Sequence, residues 1–517
     1  MTSPMESPVT SIDAAQGEGR SATIREWIGL AVIALPCMLY TMDLTILNLA
    51  IPVISRELMP TASQLLWIVD IYGFMVAGAL LVMGTLGDRI GRRRLLMIGA
   101  TSFGLVSILA AFALNAPMLI AARGLLGLAG ATLAPSTLSL ISSMFRMDRQ
   151  RTFAVSLWIA SFSFGAALGP VIGGILLEHF SWRVLFVVPV PIMLLLLAVG
   201  PRLLPEYRNP QAGRLDVASA ALSVATVLPV IFGIKLLAEG GAMSLVVASI
   251  VSGMACGYLF VRRQLALPEP LLDIRLFRQL TLAAALGLNV FDFFLIFGIV
   301  LLTTQYMQLV LGLSPLQAGL WSLPDGLGFV AGSLLTSSLL RLMRPAFVLG
   351  LGLLLGAIGL FTMTRVGGPN SLYVLVAGIT LFSVGLAPCA AIIADLVVSA
   401  SPTERAGAAS ALNETSSEFG GATGIALLGS LATFLYRSGL GPNLPAGIDA
   451  DAAAMSLRGI GSAVEIARSL GPSGAGLLAA AQSAYVSAMQ ASLLCAAAIA
   501  AIAAIAAVAV FRHRTSS

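Results

Sequence analysis

The chain contains 517 residues, of which 58% are hydrophobic and only 10% are charged, and its formal net charge is +5. An ordinary soluble domain cannot bury this much apolar surface, so the composition excludes a soluble protein and indicates a polytopic membrane protein. The small positive charge does not indicate a nucleic-acid partner, because the basic residues fall mostly on one side of the predicted membrane topology.

Residue types needed for ATP hydrolysis or metal binding are nearly absent. The only lysine, Lys235, follows an isoleucine, whereas a phosphate-binding P-loop requires Gly-Lys before Ser or Thr. The two histidines, His179 and His513, are far apart, and the four cysteines are widely separated within apolar stretches. We therefore expect no ATP site, no metal site and no cofactor.

A membrane-crossing helix needs roughly 20 apolar residues, and the sequence predicts fourteen such spans. They lie near residues 27–52, 64–86, 95–114, 117–143, 153–177, 183–201, 216–237, 243–262, 281–310, 315–339, 345–364, 371–399, 405–436 and 485–511. Residues 1–26 are polar and lack the order of a signal peptide, so we interpret them as a disordered cytoplasmic tail. Residues 512–517 form a second short tail.

The distribution of basic residues predicts the orientation in the membrane. With the N-terminus inside, the inner segments hold twenty-one of the 29 basic residues and the outer segments hold six. Because cationic loops are retained in the cytoplasm, this bias predicts that both termini are cytoplasmic, in an inner membrane, with an even number of spans.

A faint internal repeat divides the chain. The sequence of residues 76–81, Val-Ala-Gly-Ala-Leu-Leu, recurs as Val-Ala-Gly-Ser-Leu-Leu at residues 330–335. At equivalent points of two halves, such a match fits a duplicated transporter. We therefore predict an N-terminal six-helix half at 27–201, a C-terminal six-helix half at 279–511, and two additional linker spans at 216–262.

One predicted external connection is unusually long. Residues 437–484 are rich in Gly, Ala and Ser. Within this loop, residues 456–470 have the pattern of an amphipathic helix that would lie on the outer surface. A flexible surface loop is an equally good interpretation.

The first span carries an acid in a recognisable setting. Residues 42–52 read Met-Asp-Leu-Thr-Ile-Leu-Asn-Leu-Ala-Ile-Pro, with Asp43 in the apolar stretch. This matches the D-x-T-x-x-N-x-A-x-P pattern and resembles the signature of fourteen-span drug:proton antiporters of the major facilitator superfamily. The resemblance implies that Asp43 binds substrate or proton; the alternative is an aspartate that only caps or packs a helix.

The loop between spans 2 and 3 carries a second match. Residues 84–94 read Gly-Thr-Leu-Gly-Asp-Arg-Ile-Gly-Arg-Arg-Arg and join two antiparallel neighbours. The G-x-x-x-D-R-x-G-R-R pattern is similar to the superfamily signature at this position. The resemblance implies a cytoplasmic gate, with the gate residues Gly84, Asp88, Arg89, Gly91 and Arg92.

Spans 4 and 5 carry two further motifs. Arg123 begins Arg-Gly-Leu-Leu-Gly, which resembles the R-x-x-x-G motif that the family ties to proton coupling. Physically, a buried guanidinium stabilises a nearby carboxylate; the alternative is an arginine that binds backbone carbonyls. Residues 165–174 resemble the G-x-x-x-G-P-x-x-G-G antiporter motif, which implies export rather than import. Its keyed residues are Gly165, Gly169, Pro170, Gly173 and Gly174.

Span 13 carries two acids on one helix face. Glu414 and Glu418 are four residues apart. Two carboxylates so placed in a low dielectric cannot both ionise easily, so the pair predicts a proton acceptor. The alternative is that one acid faces an aqueous vestibule.

Three acids have an aromatic residue about one helical turn before them. Tyr40 precedes Asp43, Trp67 precedes Asp70, and Trp321 precedes Asp325. A carboxylate beside an aromatic face suits a lipophilic cation. The alternatives are chance pairing and, for Trp67, an interfacial anchor.

Three other charged residues within spans fit no motif. Asp292 and Asp395 receive no role, and Asp395 is placed near the cytoplasmic end of its span. We expect Lys235, near the end of span 7, to extend its ammonium group to the membrane surface.

Together these motifs predict an all-α major facilitator fold of fourteen spans that acts as a secondary active transporter and not as an enzyme. The resemblance implies export of lipophilic cationic drugs, such as quaternary ammonium compounds, dyes and fluoroquinolones, in exchange for protons, by a monomer. One alternative is an exporter of a specific metabolite, siderophore or self-made antibiotic. Another is a membrane-embedded lipid enzyme, which would need a nucleophile or metal constellation.

Overall fold

The computed structural model of the protein describes residues 21–206, 216–238, 241–267, 270, 279–368, 370–399, 406–445 and 448–511. All regular secondary structure in these ranges is helical. The first eight helices are α1 (Ile24–Leu58), α2 (Ala62–Ile90), α3 (Arg92–Ala111), α4 (Ala116–Gly130), α5 (Leu133–Met144), α6 (Asp148–His179), α7 (Val184–Val187) and α8 (Pro189–Leu203).

The remaining helices comprise a hairpin and a second bundle. The hairpin is α9 (Val217–Ala238) and α10 (Met243–Ala266). The bundle comprises α11 (Leu280–Gln305, continued by a π-helical turn Tyr306–Val310), α12 (Pro315–Trp321), α13 (Leu323–Leu342), α14 (Pro345–Met363), α15 (Ser371–Ser399), α16 (Ala406–Leu440), α17 (Ala450–Ser456), α18 (Ile460–Ser469) and α19 (Ala475–Phe511).

Thirteen helical segments among the described residues are long and apolar enough to cross a membrane. The other thirteen predicted spans coincide with these segments. Predicted span 5, residues 153–177, is not apolar enough to be counted among them. That span is part of the continuous helix α6, but only Leu168–His179 within α6 is strongly apolar. The first half of α6 carries more polar residues, and the helix packs along α1.

Apolar side chains form separate cores on the two sides of the molecule. Helices α1 to α8 enclose one large cluster, which contains Trp182, Phe103 and Phe145. Helices α11 to α19 enclose two others, centred on residues such as Phe382 and Leu353. The helices are therefore packed as two bundles, which meet where α2 contacts α16, α6 contacts α12, and α1 contacts α11.

The predicted loop at 437–484 is shorter and more ordered than the sequence indicates. Helix α16 runs to Leu440, and α19 begins at Ala475 because alanine-rich sequence favours helix even where it is not strongly apolar. Between them, α18 lies within the predicted amphipathic segment 456–470. Its apolar face packs against α1 and α19, so this helix covers the protein instead of lying free on a surface.

The two bundles touch through backbone at the end distant from the start of α1. A Cβ added at Gly319 of α12 would lie 2.2 Å from the carbonyl oxygen of Pro170 in α6. One added at Gly174 would lie 2.7 Å from the Cα of Leu316. Beside these contacts, Ser314 donates a 3.0 Å hydrogen bond to Glu178. This end of the bundle is therefore closed by two helices in contact without intervening side chains.

The α9–α10 hairpin is joined at one end by an ion pair. Arg263 Nη2 lies 2.8 Å from Asp216 Oδ1, and Ser219 also donates to this carboxylate. Burial opposes ionisation, but these hydrogen bonds and the guanidinium outweigh it and lower the pKa of Asp216 to about 2. Asp216 is therefore ionised at physiological pH and fixes the start of α9 to the end of α10.

We predict that Gly319→Ala separates α6 from α12, because the added methyl group has no space beside the Pro170 carbonyl. The measurement is the rate of disulfide formation between cysteines introduced as Glu178→Cys and Ser314→Cys in a background without the native cysteines. Gly319→Ala should slow cross-linking. Gly287→Ala in α11 is the control, since a Cβ there meets no atom within 4 Å; equal rates in both variants would contradict the prediction.

Candidate functional site

A buried ion pair lies at the centre of the N-terminal bundle. Arg123, from α4, donates a short hydrogen bond to Asp43 of α1, and its side chain is fully buried while that of Asp43 is 11% exposed. The guanidinium also donates to the carbonyl of Ile68 at 3.2 Å. Its central carbon lies 4.7 Å from the centre of the Tyr72 ring. The motifs of spans 1 and 4 thus form one unit, in which Arg123 is the counter-charge of Asp43.

The same unit extends across to the C-terminal bundle. The Tyr40 and Tyr72 rings lie 5.9 Å apart, and the Tyr40 hydroxyl donates a short hydrogen bond to Glu418 of α16. Tyr40 was predicted to flank Asp43, but its hydroxyl is used by the acid of the other bundle. We call the five residues Asp43, Arg123, Tyr72, Tyr40 and Glu418 the central polar chain. It connects a carboxylate in each bundle through a guanidinium and two phenol rings.

Asp70 belongs to a different cluster on the opposite side of α2. The Lys235 ammonium, from α9, lies 3.0 and 2.7 Å from the two oxygens of Asp70. It also lies 4.0 Å from the centre of the Trp67 ring. Lys235 and Asp70 are 0% and 1% exposed. The prediction that Lys235 extends to the membrane surface is therefore wrong: α9 packs on α2 at this level, and the carboxylate supplies a nearer partner than water.

The acids of the C-terminal bundle are held less tightly. Asp325 accepts a short hydrogen bond from Ser383 of α15 and is half-buried. Trp321 packs edge-on against Tyr373, with ring centres 5.8 Å apart. Glu414 is half-buried one turn before Glu418 in α16. None of the aromatic–acid pairs predicted from spacing forms an isolated two-residue unit; each is completed by a residue from another helix.

Asp292, which fits no sequence motif, has no hydrogen bond to any described residue. It is fully buried in α11, and neither carboxyl oxygen has a hydrogen-bonding partner among the described residues. One turn earlier, the Asn289 amide donates to the Asn413 carbonyl and to Ser416 and Ser417 of α16, at 2.7 to 3.0 Å. The side chain of Asp395 lies outside the described residues.

The α2–α3 loop forms a compact turn. Gly91 has φ +110°, a conformation that favours glycine, and a Cβ there would lie 2.4 Å from Glu206. Arg92 donates to the Pro135 carbonyl at 3.2 Å, while Arg89 is exposed. A residue outside the predicted gate set, Arg93, pairs with Glu206 at 3.4 Å. The backbone of Gly84 is described and has open space around it, but the side chain of Asp88 lies outside the described residues.

The antiporter motif of α6 is a packing surface for α1. A Cβ at Gly165 would lie 2.1 Å from the Met38 carbonyl oxygen, and one at Gly169 would lie 2.2 Å from the Thr45 hydroxyl. Gly173 faces Ile46. The fourth glycine of the motif, Gly174, instead contacts α12 of the other bundle. The glycine stripe therefore holds α1, which carries Asp43, and also reaches the closed end.

Sequence reasoning identified Asp43, Arg123 and Glu418, which the structure joins, but placed Asp70 and Asp325 with them. It missed Tyr72 and the role of Lys235. One signal was available for the lysine: a charged group within a span requires a partner, and an unassigned lysine should have been paired with a nearby acid. Nothing in the sequence identifies Tyr72, whose importance comes from the position of α4.

Comparison with known proteins places these features in context. Residues 33–425 match the family model of the Major Facilitator Superfamily. The chain is 38% identical to the multidrug efflux pump LfrA of Mycolicibacterium smegmatis, over 97% of this chain and 99% of that protein. It is 34% identical to the methyl viologen resistance protein SmvA of Salmonella typhimurium, over 89% and 93%.

A solved structure with the same fold is that of a bacterial homologue of the human lysosomal transporter Spinster. It superimposes with a TM-score of 0.68 and covers 96% of this chain and 100% of its own, at 16% identity. At this identity the likeness supports the fold alone.

We predict that Asp43→Asn strongly destabilises the protein, because it leaves the Arg123 guanidinium buried without a counter-charge, which costs about 3–5 kcal/mol. The measurement is thermal unfolding of the purified protein in detergent. Glu57→Gln is the matched control: Glu57 and Arg183 form a pair at 2.5 Å that is 37% exposed on both sides, and such pairs contribute about 0–1 kcal/mol.

The double variant Asp43→Asn/Arg123→Gln removes both charges and should recover part of the lost thermal stability. Equal losses of thermal stability in Asp43→Asn and Glu57→Gln would contradict the prediction, because the buried Asp43–Arg123 pair would then stabilise the protein no more than an exposed pair does.

Proposed function

Because the chain belongs to the major facilitator superfamily of transporters, and is a secondary transporter and not an enzyme, we propose that it is a proton-coupled antiporter that exports lipophilic cationic drugs. The relatives that it resembles along nearly their full length are named for multidrug efflux and for methyl viologen resistance. Methyl viologen is a flat aromatic dication, so its chemistry fits the class of substrate we propose, together with quaternary ammonium compounds, dyes and fluoroquinolones.

One observation carries this proposal: the central polar chain joins acids of both bundles inside a membrane protein. Carboxylates are costly in this environment unless they serve binding or proton transfer. Asp43 is ion-paired with Arg123, whereas Glu418 is held by the neutral Tyr40 hydroxyl. These different settings support a division of tasks, in which Glu418 with Glu414 exchanges the proton and Asp43, with Arg123 as its counter-charge, binds the cation.

The proposed transport cycle is alternating access by rocking of the two bundles. With both termini in the cytoplasm, as the basic residues favour, the closed Gly174–Gly319 end is external, and we propose that substrate enters from the cytoplasmic side. We propose fourteen spans, counting α6, arranged as two six-helix halves with α9 and α10 added between them. Asp70 and Asp325 are secondary acid sites, and the Gly84–Arg92 loop with Asp88 and Arg89 gates the cytoplasmic side.

The driving force in this proposal is the proton gradient rather than ATP. Each charge that crosses the membrane yields about 2.3 kcal/mol per 100 mV. A cycle that admits more positive charge than it expels can therefore concentrate a cation outside. We expect a single chain in the inner membrane to suffice for this cycle, since both bundles and the acids lie in one polypeptide.

The test is ethidium efflux from cells expressing the chain, with and without a protonophore. We expect protonophore-sensitive efflux that is abolished in Asp43→Asn and in Glu418→Gln when equal amounts of folded protein are compared, because each substitution removes a carboxylate of the central polar chain. Glu57→Gln, which alters an exposed ion pair, is the control and should retain efflux.

Two outcomes would contradict the proposal. Efflux that persists in both acid variants would remove the central polar chain from the mechanism. No efflux by a folded, well-expressed wild-type protein, across dyes and quaternary ammonium compounds, would favour instead the export of one specific metabolite, siderophore or antibiotic.

A further inference from the structure

The Asp70 cluster has the composition of a binding site for an organic cation, and it is already occupied. A carboxylate and the face of a tryptophan surround one ammonium group, with distances of 2.7 Å to the nearer oxygen and 4.0 Å to the Trp67 ring centre. A desolvated cation held in this way gains from both the charge and the ring. Here the cation is Lys235, the only lysine of the chain.

Lys235 comes from the part of the protein that is attached most weakly. Most side chains of α9 and α10 are half-buried or exposed; α10 packs mainly on α9, and α9 packs on α2 and α16. Apolar helices gain little from association within lipid, because lipid is as apolar as their side chains. A polar contact such as the Lys235–Asp70 pair is therefore a large part of what positions α9.

An apolar cavity lies between α2, α9, α10 and α16, and its lining begins one turn along α2 from Asp70. Its volume is about 160 Å³, and its lining includes Phe74, Val227, Leu228, Phe260 and Phe419. Phe74 follows Asp70 by one turn of α2, and its ring centre lies 6.4 Å from that of Trp67. A dry cavity of about 150 Å³ can hold a benzene ring. The cluster and cavity together match an ammonium group that carries one aromatic ring.

We propose that Lys235 is a tethered competitor for this site: a lipophilic cation binds Asp70 and Trp67 by displacing the lysine ammonium, with its apolar part in the adjoining cavity. Lys235 is then a specificity-determining residue, because only cations that outcompete a primary ammonium in contact with both oxygens gain access. The role of the site in transport rests on the function proposed above, but the displacement itself does not.

The first experiment measures displacement without transport. The purified full-length protein is treated with an amine-reactive ester, and the modification of Lys235 is followed by mass spectrometry, with the N-terminal amine as the internal reference. An ammonium group in an ion pair is unreactive because it has no free electron pair. Benzyltrimethylammonium should accelerate modification of Lys235, and its uncharged isostere neopentylbenzene should not.

Unchanged Lys235 modification at benzyltrimethylammonium concentrations that inhibit dye efflux would overturn the proposal while leaving proton-coupled export intact. Accelerated modification in a protein that shows no efflux of any dye would support the site and overturn the transport function. Acceleration by both compounds would show that the cavity opens without recognition of charge, which also contradicts the proposal.

The second experiment measures specificity with variants. If Lys235 occupies the site about nine-tenths of the time, Lys235→Met lowers the KM for benzyltrimethylammonium about tenfold. Asp70→Asn should remove this gain. Arg263→Met is the matched control, since it removes the other ion pair of the same hairpin without contacting Asp70.

The double variant Lys235→Met/Asp70→Asn leaves neither charge unpaired and controls for folding. If it folds and exports every substrate with the wild-type KM, the pair is only a structural anchor and the proposal is wrong. If it folds but loses affinity for aromatic ammonium compounds alone, the site determines specificity as proposed.

Discussion

The structure depends on one constraint: a charge within the bilayer must find its counter-charge inside the protein. Four fully or largely buried charged groups satisfy this constraint by contacts between helices that are far apart in sequence: Arg123 with Asp43, and Lys235 with Asp70. Each such contact fixes the rotation and depth of two helices at once, which apolar packing in lipid does weakly. The positions of α1, α4 and α9 relative to α2 are consequences of these pairs as much as of side-chain shape.

The same constraint separates two kinds of polar cluster. In the central polar chain, Glu418 is connected to Asp43 through the neutral rings of Tyr40 and Tyr72 and then through the Arg123 guanidinium. In the Asp70 cluster a single full pair is isolated by Trp67 and by apolar side chains of α9 and α16. The contacts of the central polar chain can therefore change one at a time, whereas the Asp70–Lys235 ion pair is either formed or broken.

Much of this architecture could be predicted from the sequence, because hydropathy and motif spacing are local properties. The positions of nearly all the membrane helices follow from runs of apolar residues, whereas the Gly165–Gly174 pattern does not identify α1 as the helix that packs against it. Hydropathy did not reveal that α18 packs against the bundle, because that position depends on tertiary contacts. It also did not reveal the early start of α19, which follows from the helix preference of alanine and not from apolarity.

Partners of buried charges could not be predicted from one sequence. Tyr40 and Asp43 share a helix face, yet the Tyr40 hydroxyl reaches Glu418, 378 residues away. Lys235 and Asp70 are separated by 165 residues. Spacing along one helix identifies which groups need a partner but cannot choose among acids on other helices, because that choice is made by how the two bundles and the hairpin pack.

The glycine contacts between α6 and α12 have a consequence for the character of the conformational change. Where backbone lies directly on backbone, there are no long side chains that can slide, stretch or exchange partners as the surfaces part. Close-packed surfaces of this kind have two discrete arrangements rather than a continuous series. The α6–α12 contact should therefore be either fully closed or fully open. Because steric fit and not charge holds it closed, its closed state should depend little on the salt concentration of the surrounding medium.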